Sequence, residues 1–105
     1  MPIYISLYNW TDQGIQTIKE APMRLEAAKK AIKAAGGKMI AFYVTMGRYD
    51  MVMICEFPSD EAASAYLLGV SRLGNVRSET LKAFTEAEFG DILATIPKIF
   101  LMPHF

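Results

Sequence analysis

The chain predicts an α+β domain in the order βαββαβ, a four-stranded antiparallel sheet with both helices on one face. Three observations predict it. Two apolar, β-rich runs, Lys38 to Val44 and Met51 to Phe57, flank the polar stretch Thr45 to Asp50, where Gly47 can supply the positive φ of a tight reversal. A strand-like stretch and a long helical segment precede this hairpin, and a second helix and strand follow it. Right-handed crossovers then place the helices together and leave the other sheet face bare.

The elements follow from local pattern. Ile3, Ile5 and Leu7 alternate with Tyr4, Ser6 and Tyr8, a period of two that gives a strand one aliphatic and one aromatic-polar face. Asn9 to Gly14 is turn chemistry, with Thr11 or Asp12 able to cap a short turn around Ile15 and Ile18. Pro22 interrupts that turn and opens a main helix to about Ala35, with Leu25, Ala28, Ile32 and Ala35 as its apolar stripe and Gly36 and Gly37 as its stop. The next two strands are apolar on both sides, the pattern of strands buried on both faces. Ser59, with Asp60 and Glu61 behind it, caps a helix whose stripe runs through Ala63, Tyr66, Leu67 and Val70 to a stop at Gly74. Val76 to Phe84 is a partly wet edge strand. Thr85 and Glu88 form a capping box for a last helix to about Ile96, before Pro97. The domain therefore occupies residues 1–97. The tail 98–105 is apolar enough to dock on its own sheet or on a neighbour's.

Composition limits the function. Of 105 residues, eleven are basic and eleven acidic, so no net field recruits nucleic acid or an anionic membrane. The basic residues of the main helix read as a solvated face, and the central strands lack the stacking motif of an RNA-binding domain of this topology. No segment approaches the roughly 20 apolar residues of a membrane span, and the start lacks the pattern of a signal peptide. A cytoplasmic location is expected. The lone Cys55 excludes a disulfide within the chain and reads as a buried small hydrophobe.

With 52% apolar residues, including seven methionines, the bare sheet face would carry far more grease than soluble monomers expose. A second copy covers it most simply, since a two-fold axis lets one surface satisfy itself. Two sheets face to face make a barrel-like homo-oligomer. Tyr4, Ser6 and Tyr8 are then expected either to line its interior or mouth or to serve only as interface packing.

The segment Gly47, Arg48, Tyr49, Asp50, following Tyr43 and a two-glycine helix end, resembles the signature of the GYD-domain family. Trp10, Thr11 and Gly14, and the run from Gly74 to Phe84, are similar too, over about Ile3 to Leu93. Ser78, in place of threonine, and Ala21 before Pro22 depart from the pattern. The resemblance implies a ferredoxin-like domain related to the dimeric α/β-barrel group. It implies no established activity.

Chemistry is sparse. With one histidine, His104, a histidine-based metal centre or a serine triad lacks parts, and no glycine loop opens a helix to cradle phosphate. No cofactor is expected. The ligand-binding candidates are Tyr4, Ser6, Tyr8, Trp10, Tyr43, Arg48, Tyr49, Asp50 and Thr80. A phenol, an acid and a guanidinium can orient a small polar group or move a proton, whereas the turn around Gly47 also selects Asp and Gly for backbone reasons alone. Three functions fit: a homo-oligomeric domain binding a small, partly apolar molecule; a metal-independent oxygenase or isomerase; or a self-assembly domain.

Overall fold

The computed structural model describes residues 1–104; Phe105, the last residue of the expected tail, lies outside the described residues. Four antiparallel strands, β1 (Ile3–Trp10), β2 (Lys38–Val44), β3 (Met51–Glu56) and β4 (Val76–Ala83), form one sheet in the order β2-β3-β1-β4. This is the ferredoxin-like arrangement, with an open sheet that does not close on itself. The helices α1 (Asp12–Gln16), α2 (Ala21–Ala34) and α3 (Asp60–Ser71) lie within the crossovers, and α4 (Glu86–Ala94) follows the last strand.

Register decides which face is the core. Tyr4, Ser6 and Tyr8 of β1 stand opposite Cys55, Met53 and Met51 of β3. All six are buried, and the apolar members cluster with Ile32 of α2 and Ala63 and Tyr66 of α3. The aromatic-polar face of β1 therefore lies under the helices, and the aliphatic face, Ile3, Ile5 and Leu7, is the open one. This corrects the expectation that Tyr4, Ser6 and Tyr8 face a second sheet, whether as barrel lining or as interface packing. An aromatic ring supplies more contact area than an aliphatic chain, and Phe57 completes a stack with Tyr4 and Tyr66 at centroid separations of 5.8 and 5.4 Å.

The second strand also differs from its sequence pattern. A bulge between Met39 and Ala41 pairs Met39 with Cys55 and Phe42 with Met53, so residues 39 and 42 share the core side and strict alternation is lost. β2 is moreover an edge strand, with Ile40, Tyr43 and Val44 exposed, rather than one buried on both faces.

Helix ends follow the expected chemistry. The Thr11 side chain accepts from the Gly14 N–H at 3.1 Å, and Ser59 accepts from that of Ala62 at 3.1 Å. α2 begins without a side-chain cap, running on from a 3-10 turn at Ile18–Glu20 with proline in its first turn. It ends on Gly36 at φ 81°, with the Gly37 N–H returning to the Ile32 carbonyl at 2.9 Å. Thr85 and Glu88 form both halves of a capping box for α4. Every described residue from 84 onward is exposed, including all of α4 and the 3-10 turn Lys98–Leu101. No helix among the described residues is long and apolar enough to cross a membrane.

Candidate functional site

Alanines decide the shape of the space between sheet and helices. α2 presents Ala27, Ala28 and Ala31 toward it with Leu25, while α3 presents Ala65, Gly69 and Val70. Such short side chains cannot fill the wedge between two helices and a sheet at native packing density. A cleft of about 660 Å³ results, floored by Tyr8, Met51 and Met53 and flanked by Trp10, Phe42 and Val76. That volume is within the usual range for small-molecule sites.

Polar groups in the lining are few. Arg24 faces its own neighbourhood, donating to the Gly14 carbonyl at 3.3 Å and the Thr17 carbonyl at 3.1 Å and pairing with Glu20 at 3.2 Å. Tyr8 is 4% exposed, and its buried hydroxyl makes no hydrogen bond of good geometry among the described residues, the Ser6 and Tyr66 hydroxyls being the polar groups beside it. Burial pushes the Tyr8 phenol up, an effect partly offset by the nearby Ser6 hydroxyl. Tyr66 is raised further, by burial and then by the charge that ionising Tyr8 would place beside it. Both phenols stay protonated near neutrality. The floor offers a neutral donor in an apolar setting.

The candidate residues divide into four groups. Tyr8 and Trp10 line the cleft, while Tyr4, Ser6 and Thr80 lie on the same sheet face with partners of their own. The Ser6 and Thr80 hydroxyls bond each other at 2.8 Å, and the Tyr4 hydroxyl donates to Asp60, which also pairs with Lys82 at 3.0 Å. Tyr43 stands on the open face, opposite Val52, and is well exposed. Arg48, Tyr49 and Asp50 sit at the hairpin.

At that hairpin the side chains hold backbone. Gly47 adopts φ 112°, the Thr45 N–H donates to the Asp50 carbonyl at 2.8 Å, and Thr45 Oγ1 donates to the Tyr49 carbonyl at 2.6 Å. Asp50 Oδ2 accepts from the Trp10 N–H at 3.0 Å, and the Asp50 N–H donates to the Tyr8 carbonyl at 2.8 Å. The Tyr49 hydroxyl donates to Glu79, which raises the phenol's pKa, and the Arg48 guanidinium lies 5.7 Å from the Tyr49 ring centre. The turn is thus tied to the end of β1 through the backbone of Tyr8 and Trp10.

A second cluster buttresses the start of α1. Thr11 N–H donates to the Asn75 carbonyl at 3.0 Å, and Gln13 Nε2 reaches both the Leu73 carbonyl and Asn75 Oδ1 at 2.9 Å. Gly14 packs so closely here that a Cβ would lie 2.0 Å from the Asn75 carbonyl oxygen.

Residues 4–93 match the GYD domain. The chain belongs to the GYD domain family. A relative from Thermus thermophilus, named as a glutamine synthetase and cystathionine beta-lyase binding protein, is 28% identical over 89 residues, covering 84% of this chain and 94% of the relative. The crystal structure of TTHA0845, also from Thermus thermophilus, superposes with a TM-score of 0.52 at 24% identity, covering 81% of this chain and 95% of that one, a likeness of fold. Gly47, Tyr49 and Asp50, which resemble the family's signature, hold the hairpin and its junction with β1. Tyr66, Gly69 and the alanines of α2 were absent from the sequence-derived candidates. The legible signal was an alanine-rich stripe on a helix over a methionine-rich strand, too little bulk for a filled interface.

Proposed function

We propose that this GYD domain binds a small, largely apolar molecule carrying one hydrogen-bonding oxygen, in the cleft between α2, α3 and the sheet, within a homo-oligomer paired through the open sheet face. The observation that carries this reading is an apolar cleft of about 660 Å³ whose floor contains a buried hydroxyl that makes no hydrogen bond of good geometry among the described residues, with only the Ser6 and Tyr66 hydroxyls beside it. Leaving such a group unpaired costs about 1–3 kcal/mol. A ligand carbonyl seated on Tyr8, after a small rocking of the ring, recovers part of that cost. Cytoplasmic residence accompanies the reading, supported by the relative named for binding glutamine synthetase and cystathionine beta-lyase.

The test compares 2-acetylnaphthalene with 2-ethylnaphthalene, which matches its shape without the oxygen. Calorimetric titration should give tighter binding of the ketone, by about tenfold or 1.4 kcal/mol, with the preference abolished in Tyr8→Phe. Tyr8→Phe should also raise the stability of the ligand-free protein, by about 1 kcal/mol. Gly69→Leu, placed where a Cβ meets open space, should weaken both ligands by filling the cleft. Equal affinity of the folded wild type and Gly69→Leu for both compounds would remove the cleft as the site.

A second reading is favoured by the Thermus relative's name: the GYD domain binds a metabolic enzyme. Its support within the fold is the exposed apolar surface. Surface plasmon resonance against purified glutamine synthetase and cystathionine beta-lyase tests it, and the absence of saturable binding to either enzyme at micromolar concentration counts against it.

A further inference from the structure

Chain segments that fold against their own domain become buried, and residues 84–104 do not. Every one of them is exposed. Nine of the nineteen large apolar side chains exposed among the described residues fall between Phe84 and Met102, in the last fifth of the chain. The radius of gyration is 17.1 Å and the long axis 56 Å, whereas a compact domain of about 100 residues has a radius of about 13 Å. The segment is an arm.

The arm is built to dock. Phe89, Ile92, Leu93 and Ile96 recur at spacings of three and four, which places them on one side of α4 and its continuation. A helix of nine residues is marginal alone in water, even with a complete capping box. A matching surface exists on the domain. Ile5, Leu7, Val52, Ile54 and Leu81 share the open face by register, and Tyr43 stands exposed beside them on β2. Arm and face are alike in grease, the charges that share the open face by register, Lys38 and Arg77 against Glu56 and Glu79, cancel, and every described residue of the arm is exposed in the single chain.

We propose that the chain forms an arm-exchanged dimer, in which residues 84–104 of each copy leave their own domain and lay the α4 stripe on the open sheet face of the second copy, along its β2 edge. The proposal rests on the pairing proposed above and adds what completes it. A two-fold axis satisfies both arms and both faces at once, with no unmatched apolar surface to propagate a fibre. Sheet and arm together form one continuous interface.

Native mass spectrometry and bismaleimide cross-linking of the full-length chain test it. Tyr43→Cys in one tagged copy and Ile92→Cys in an untagged copy should cross-link between chains when mixed, Cys55 being buried and silent. Leu93→Asp should raise the dimer dissociation constant at least tenfold while leaving the circular dichroism of β1 to α3 unchanged, because Leu93 touches solvent in the single chain. A dimer with no arm-to-sheet cross-link, or one indifferent to Leu93→Asp, overturns the exchange and leaves sheet pairing standing. A monomer overturns both. A cross-link within one chain, in the double variant at high dilution, places the arm on its own sheet and also overturns the exchange.

Discussion

The Tyr4 hydroxyl donates to the Asp60 carboxylate, joining the first strand to the first turn of α3 across 56 residues of chain. Lys82 completes the group from β4. Tyr4 is buried as a ring while its hydroxyl reaches a carboxylate that is half in water, so burial and Asp60 together push the phenol up to about 12. The bond from Tyr4, then Lys82, holds the Asp60 carboxyl below the usual range.

The pH dependence follows with a definite sign at each end. Asp60 has a lowered folded pKa, so its contribution is present above the unfolded carboxylate value, about 4, and is lost as pH falls through the folded value. Tyr4 has a raised folded pKa, so its contribution is complete below about 10 and is lost as pH rises toward about 12. Chemical denaturation across pH should show a plateau between about 4 and 10. Tyr4→Phe should flatten the alkaline limb in part, since Tyr8 and Tyr66 are raised as well. An alkaline limb identical in Tyr4→Phe and wild type would show that the bond to Asp60 is not made in solution.

Two glycines in helices should respond oppositely to alanine. Gly14 meets the Asn75 backbone oxygen, which cannot swing aside as a side-chain tip could, so Gly14→Ala should cost about 1–3 kcal/mol. Gly69 lies inside α3 with open space where its Cβ would be, so Gly69→Ala should gain about 0.5–1 kcal/mol from helix propensity. Urea denaturation of both variants reads the two signs. A neutral Gly14→Ala would mean that α1 does not press against the Gly74–Asn75 turn.

What the sequence disclosed follows how local each cause is. The Gly47 hairpin, the Gly36 and Gly74 stops and the Thr85–Glu88 box depend on a few adjacent residues, and each stands where the pattern put it. Facing was harder. The alternation of Tyr4, Ser6 and Tyr8 with Ile3, Ile5 and Leu7 says that β1 has two faces, but only pairing with β3 and the seat of Tyr66 decide which lies under the helices. The bulge at Met39 to Ala41 was hidden because either register of β2 is apolar on both sides. The cleft was hardest, because it is an absence of side-chain volume that arises only when α2 and α3 are set over Met51 and Met53.

Cys55 tests the facing of β3 directly. Its side chain lies beside Tyr4 in the sheet, 4% exposed, and burial pushes the thiol up to about 11. At pH 8 that leaves roughly one thiolate in a thousand, about a hundredfold fewer than a free cysteine offers, before any loss of access is counted. Reaction with a disulfide reagent should therefore be at least a hundredfold slower in the native protein than in urea, and should track opening of the sheet. If β3 were turned over, Cys55 would stand on the open face with Ile54 beneath the helices, and labelling would be rapid in the folded monomer. Slow labelling that persists in the dissociated Leu93→Asp variant separates burial beneath the helices from cover by a second copy, since only the first survives dissociation.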